Sequence, residues 1–330
     1  MAPSIDLSAF DVEVFLNQTA PYTDAKVPFR DDMLRSRMGF AEIVWDTLIS
    51  KGAAKMKENN YSKHLVTFEV GAHRAKQSKE ALKSKFHTHV FEPSPSSFAK
   101  IKMVMEGITS KDPELDRFLH LHNVAVGSTT GDILEFETSG STGDHVGQFD
   151  VWHMKPGESK FVPKEKQTKM IQVPSMKLDD LIHFHSTEKE IPIDEVYAAK
   201  IDTQGFEPKV FQGLEESIKN HKIQYLITEY WPKGMALMNN RTDTCDLAME
   251  TLHPMIAAGY TIYALPLVAH ASIKAPYLKN WSERPFDDIK ADCEYLLDLE
   301  NRYPLEDYHM VSVESKRSAA LVQYYGILII

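Results

Sequence analysis

The sequence predicts a doubly wound α/β fold on a mostly parallel sheet of seven strands. Two observations carry this. Short apolar runs alternate with amphipathic stretches from about residue 64 to residue 265. Acidic residues also stand at the ends of four of the first five runs. Strand–helix alternation of this kind places helices on both faces of a parallel sheet.

The elements follow in order. Residues 1–60 read as an N-terminal helical extension or lid, with Met38, Ile43, Val44 and Leu48 giving a rough helical stripe. The α/β domain then occupies residues 61–330. His64 to Val70 is the first strand, and a polar helix follows from Ala75 to Lys85. Thr88 to Phe91 is the second strand, closed by Glu92-Pro93. Pro95 suits a first helical turn, and Phe98, Ile101 and Met105 mark one helix face. Asn123 to Val126 is the third strand. Residues 132–172 alternate and are rich in Gly, Ser and Thr, which predicts an inserted antiparallel segment. Val196 to Ile201 and Tyr225 to Thr228 are further strands, with a helix through Val210, Phe211, Leu214 and Ile218 between them. A helix through Leu247, Leu252 and Ile256 leads to a strand at Tyr260 to Leu265. A second insertion spans about 266–316, and a last strand, expected to be antiparallel, runs from Leu321 to Ile330. That closing run is apolar to its end, so the natural chain is expected to continue briefly beyond it.

Composition narrows the function classes. The formal charge of −10 argues against a general phosphate-backbone binder, so nucleic acid is not an expected partner. The N-terminus lacks a basic stretch followed by an apolar one, and no run reaches about 18 apolar residues. A cytoplasmic protein without a membrane span is the expectation by elimination. Cys245 and Cys293 are too few for a disulfide framework, and a reducing compartment is the default reading.

Ligands of such folds bind outside the carboxyl ends of the strands. The first strand delivers Glu69, Gly71, Ala72 and His73 there. The second delivers Glu92, followed by Pro93 and Ser94. The third delivers Val126 and Gly127, the fourth Asp202, Gln204 and Glu207, the fifth Glu229, Tyr230 and Trp231. So many carboxylates disfavour a phosphate-rich ligand and suit hydroxyls, a cation or a divalent metal. Glu92 lies about 20 residues past the glycine turn, where an acid hydrogen-bonds ribose hydroxyls in nucleotide-binding folds.

Five motifs in order resemble those of FkbM-type S-adenosylmethionine (SAM) dependent methyltransferases. Phe68 to His73 resembles Asp-Val-Gly-Ala-Asn. Val90 to Pro95 resembles Phe-Glu-Pro-x-Pro. Asn123 to Gly127 resembles Asn-Val-Ala-hydrophobic-Gly. Leu178-Asp179-Asp180 and Lys200 to Glu207 resemble the last two, Leu-Asp-Asp and Lys-Ile-Asp-Val-Glu-Gly-x-Glu. The resemblance spans about residues 65–232. It implies a Rossmann-like class I methyltransferase sheet. It also implies SAM as cofactor and methyl transfer to an oxygen, often on a sugar or small metabolite. Under it, Glu69, Gly71, Ala72, His73, Gln77, Glu92, Pro93, Ser94, Val126, Gly127, Asp202 and Gln204 are the expected cofactor-binding residues. Asp202 is the first candidate base, with Glu229 and Glu207 behind it. Tyr230, Trp231 and Pro232 are candidates for an aromatic wall beside the methyl group.

The departures are at the glycine turn and the fourth motif. Ala75 stands where the family has a second glycine, and Gln204 replaces a glutamate. Alanine is expected there only with negative φ. The amino-acid end of the cofactor then falls to Arg74 or Gln77. An altered binding protein of the same fold and an NAD-type oxidoreductase remain alternatives. The pairs His87/His89, His120/His122 and His183/His185 are read as surface or loop residues. A divalent metal has no distinctive ligand spacing to support it.

Overall fold

The computed structural model describes residues 40–138, 145–146, 169–182, 193–260, 262–264, 290, 293–294, 297 and 325–329. In chain order its strands are β1 (Val66–Val70), β2 (His87–Phe91), β3 (Leu119–His122), β4 (Ala125–Val126), β5 (Ile133–Thr138), β6 (His145–Val146), β7 (Lys169–Met176), β8 (Val196–Ile201), β9 (Ile223–Tyr230), β10 (Ile262–Ala264) and β11 (Tyr325–Ile329). The α-helices are α1 (Phe40–Glu58), α2 (Lys76–Lys83), α3 (Pro95–Thr109), α4 (Glu207–Gln212), α5 (Glu215–Lys219), α6 (Pro232–Met238) and α7 (Thr244–Ala257). Residues 1–39 and most of 266–316 lie outside the described residues.

The main sheet has seven strands in the order β10-β11-β9-β8-β1-β2-β3. Neighbours from β3 to β9 pair in parallel. β11 is antiparallel to both β9 and β10, as expected of the closing strand. The order reverses between β1 and β8, and that switch point opens a crevice at the strand ends.

Helices cover both faces. Val90 and Phe91 are consecutive strand residues and so point to opposite sides. Phe91 joins a core with Val210, Ile218, Leu247 and Leu252 of α4, α5 and α7 and with Leu214 between α4 and α5. Val90 joins another with Leu82, Ile101, Met105 and Phe118. α1 packs on the same body: Trp45 donates from its indole to the Gln77 carbonyl at 3.1 Å, and the Tyr197 hydroxyl donates to the Leu48 carbonyl at 2.9 Å.

Three local predictions are corrected. The third main-sheet strand is Leu119–His122, before Asn123, and Ala125–Val126 instead pairs with β7 in a second sheet of order β4-β7-β5-β6. The helix through Val210 and Ile218 is two short helices. The break falls at Gly213, where a Cβ would collide with the Gly127 carbonyl, so strand end and helix meet backbone to backbone. Ala75 is left-handed, at φ 47° and ψ 45°, not at negative φ. The turn needs that conformation, and the buried methyl of Ala75 packs in the core beside Leu82. An L residue there costs about 1–2 kcal/mol that glycine would not.

The predicted antiparallel insertion is present, with β5 antiparallel to both β6 and β7. The Leu-Asp-Asp element holds it to the main body. Asp179 accepts from the Glu216 and Ser217 amides at 3.0 and 2.9 Å, capping α5. Asp180 accepts from the Thr130 hydroxyl at 2.7 Å.

Cys245 and Cys293 form a disulfide, with Cα atoms 5.7 Å apart. A reducing compartment opposes such a bond, so the default reading taken from cysteine number does not fit this pair. No helix among the described residues is long and apolar enough to cross a membrane. The bridge spans 48 residues, and closing a loop of that length constrains the unfolded chain by up to about 4 kcal/mol. Reductant is expected to lower the melting temperature by roughly 5–10 °C, and Cys245→Ser with Cys293→Ser to reproduce that shift. Equal melting with and without reductant would show that the bridge is absent in solution.

Candidate functional site

A cavity of about 270 Å³ opens at the switch point. Gly71 and His73 from the end of β1, Phe91, Glu92 and Pro93 from the end of β2, and Asp202, Thr203, Gln204 and Phe206 after β8 line it. Val124, Ala125 and Val126 form another wall, and Phe136 and Val146 of the second sheet complete it.

Gly71 makes this convergence possible. Its φ is +75°, and a Cβ there would collide with the Asp202 carbonyl oxygen. The Gly71 amide donates to the Phe91 carbonyl at 3.1 Å, and the Asp202 amide to the Val70 carbonyl at 3.0 Å. The ends of β1, β2 and β8 are thereby tied together.

Glu92 is buried and held by backbone. One carboxylate oxygen accepts from the His73 amide at 2.7 Å, the other from the Ser94 amide at 2.8 Å. An ionised carboxylate has about four lone-pair sites, two on each oxygen, and accepts only. Asn123 supports the turn from the next strand: its amide donates to the Glu92 carbonyl at 2.8 Å and to the Pro93 carbonyl at 3.2 Å. Ser94 is the N-cap of α3, and its hydroxyl lies 3.1 Å from that of Thr138 on β5. The second sheet is thus joined to the Glu92 turn.

On the opposite wall Lys200 ion-pairs with one Asp202 oxygen at 2.9 Å. The Gln204 side-chain amide donates to the other oxygen at 2.9 Å and lies 3.3 Å from Glu229. The Gln204 backbone amide also donates to Glu229, at 3.2 Å, with Gln204 itself left-handed at φ 56°. A glutamate at 204 would set a third carboxylate against these two, whereas the amide donates to both. Burial and the charges of Asp202 and Glu207 push the Glu229 carboxyl well above the usual range. Burial pushes Glu207 up to about 7. Burial works against the Lys200 ammonium, but Asp202 and Glu69 outweigh it and hold its pKa above the usual lysine value.

The predicted residues therefore divide. Gly71, His73, Glu92, Pro93, Val126, Asp202 and Gln204 line the cavity. Glu69, Ala72, Gln77, Ser94, Gly127, Glu207 and Glu229 are not among the lining residues. Glu69 is buried and accepts from the Ser78 amide at 2.7 Å and from the Ser78 hydroxyl, within the first turn of α2. Burial raises its pKa. Glu207 accepts from the Thr203 amide at 2.7 Å and the Thr203 hydroxyl at 2.9 Å, so it holds the loop after β8. Gln77 is buried in α2 and Arg74 is exposed; neither lines the cavity. Tyr230 and Trp231 are core residues, and Trp231 lies against the Gly234 backbone. The aromatic wall comes instead from Phe91, Phe136 and Phe206. Sequence reasoning missed these three and Val146. Phe136 lies in the alternating stretch that signalled the insertion, but nothing there showed that it reaches the strand ends. Among the described residues no group of three or more His, Cys, Asp or Glu is placed to hold a metal ion.

Comparison with known proteins adds the family. The methyltransferase FkbM domain model matches residues 69–237, about half of the chain. The chain belongs to the FkbM methyltransferase family. The match runs from Glu69 through α6, so every cavity wall lies inside it, and the nicotinamide alternative is not carried forward. No curated protein matches the chain. A structural comparison returns a COG1565 superfamily member from Burkholderia thailandensis bound to S-adenosyl-homocysteine. The two share 8% identity over 88% of this chain and 77% of that one, at a TM-score of 0.25, too low for the likeness to carry weight.

The raised Glu207 carboxyl gives a signed pH effect. The folded chain keeps a proton that the unfolded chain releases near 4.5. Stability from this group is therefore full below 4.5 and is lost as pH rises to about 7. Glu207→Gln, which keeps an acceptor for Thr203, is expected to flatten the fall in melting temperature across that window. Parallel curves for the two proteins would show that Glu207 is ionised throughout.

Proposed function

We propose that this FkbM-family protein is a SAM-dependent O-methyltransferase acting on a hydroxyl of a sugar or another small hydroxylated metabolite. The observation that carries the reading is Glu92. Two backbone amides orient its carboxylate at the mouth of β2, where it lines the cavity, and an acceptor-only carboxylate suits a ribose diol. The rest of the cavity fits the same ligand. Val124, Ala125, Val126 and Phe136 offer an apolar slot for a base, and the acidic residues beyond suit a cationic sulfonium rather than phosphates.

When bound, the cofactor supplies an electrophilic methyl group. This chain's residues orient the partners and exclude water. Asp202 lines the same cavity as Glu92, which supports it as the group that accepts the acceptor hydroxyl's proton. Lys200 and Gln204 each occupy one of its oxygens, so its orientation is set before an acceptor arrives. Glu229 and Glu207 support this loop from behind. The acceptor is expected to be uncharged, because an anion would meet Asp202 directly.

Titration calorimetry with SAM and its demethylated product tests the cofactor. Saturable binding is expected, weakened by about 1–3 kcal/mol in Glu92→Ala as donors lose their buried partner. Unchanged binding in that variant would move the cofactor out of this cavity, and no binding to folded wild type would end the reading. In a screen of sugars and hydroxylated metabolites, Asp202→Asn is expected to lower turnover by about 10²–10⁴ while keeping cofactor affinity.

A further inference from the structure

Two of the three histidine pairs read from sequence as surface or loop residues, His87/His89 and His120/His122, form one assembly, and His183/His185 lies outside the described residues. His87 and His89 alternate on β2, His120 and His122 on β3, and the parallel register sets His89 beside His120 and Phe91 beside His122. His87 Nδ1 lies 3.3 Å from His120 Nε2, and His89 Nδ1 lies 3.1 Å from His122 Nε2. The two pairs stack on one another: the His89 and His120 rings are 4.2 Å apart and 12° from parallel. The row ends on Phe91, whose ring stacks on His122 at 4.6 Å, and Phe91 lines the proposed cofactor cavity. His87 and His89 are buried, and the edge strand carrying His120 and His122 is half-buried.

Each N···N contact needs one N–H and one lone pair. A pair of neutral imidazoles meets this, and so does a pair carrying one added proton. A pair carrying two cannot, because both nitrogens then bear hydrogens. The stacking adds a second limit, since charges on His89 and His120 lie face to face. Charged groups stand near both ends of the row. At the His87 end a second cavity gathers Lys63, His64 and Arg117 with Asp194 and Glu195. Lys63 is already ion-paired with Asp194. The Arg117 guanidinium sits over Phe118, and the His64 ring against the same phenyl. From β1 the row meets Phe68, which is uncharged. At the other end stands Glu92, which accepts from the His73 and Ser94 amides.

We propose that this histidine ladder is a pH-sensitive clamp on one wall of the cavity. Neutral, it fastens edge strand β3 to β2. As the pH falls below the ordinary histidine range, the second proton on each pair parts the rings and loosens the wall. The mechanical link is short. Asn123 follows His122 directly and holds the Glu92 and Pro93 carbonyls, and Val124 to Val126 come next. Release of β3 therefore loosens the turn that carries Glu92 and the apolar slot together. The clamp stands independently of the cofactor reading; only its effect on ligand affinity rests on it.

Hydrogen exchange followed by mass spectrometry tests it at about pH 7.5 and 5.5, corrected for intrinsic rates. In wild type, peptides covering residues 86–92 and 119–126 are expected to exchange about tenfold faster at the lower pH, while β9 holds steady. The variant carrying His120→Gln and His122→Phe keeps a ring on Phe91 and removes the paired protonation. It is expected to change less than about twofold. His120→Gln alone serves as the second variant and is expected to lose about half the response. No acceleration in wild type, equal acceleration in the double variant, or acceleration of β9 to the same degree would each overturn the proposal. Affinity for S-adenosyl-homocysteine measured at both pH values adds the ligand readout. Absence of binding at pH 7.5 would count against the cofactor reading alone, because the exchange result still decides the clamp.

Discussion

The architecture of the site hangs on one close approach. Three parallel strands end side by side, and the chain leaving β1 passes against the backbone leaving β8. Only a residue without a Cβ and with positive φ fits at Gly71. Because of that fit, Glu92 from one strand and Asp202 from another face a common cavity. The carboxylates are then secured by local donors: backbone amides for Glu92, a buried ammonium and an amide for Asp202. Anchoring by fixed backbone dipoles leaves little to reorganise when a ligand arrives.

Acidic residues gathered at strand ends serve two purposes here. Glu69 and Glu207 secure turns, each with an amide and a hydroxyl of one neighbouring residue. Glu92 and Asp202 keep contact with the cavity. The difference is invisible in composition and follows from where each side chain points: Glu69 and Glu207 turn into the body, and Glu92 and Asp202 reach the cavity. Asp179 of the Leu-Asp-Asp element belongs with the first group, since it caps α5. Motif membership therefore marks what the fold needs as well as what the ligand needs.

The sheet was legible because strands and helices are local patterns, and the glycine turn and Glu92 because they lie within one β–α–β stretch. Features fixed by register or by distant contact were not. His89 and His120 are adjacent only through the pairing of β2 with β3, which their spacing does not specify. Phe136 and Val146 reach the cavity through a second sheet that the Ser94–Thr138 contact and the Leu-Asp-Asp element join to the main body. The bridge between Cys245 and Cys293 required knowing where the first turn of α7 lies relative to a residue 48 positions on. Ala75 shows the converse: the motif marked a glycine position correctly, and the backbone kept its left-handed turn when the side chain changed.

Among the described residues the second sheet meets the main body at the Ser94 contact and through the Leu-Asp-Asp element, and it supplies one cavity wall. That wall is carried on strands that, among the described residues, pair with one another and not with the main sheet. A change of shape in that hairpin would therefore widen or narrow the cavity from one side, and the Ser94–Thr138 contact would carry it toward the Glu92 turn.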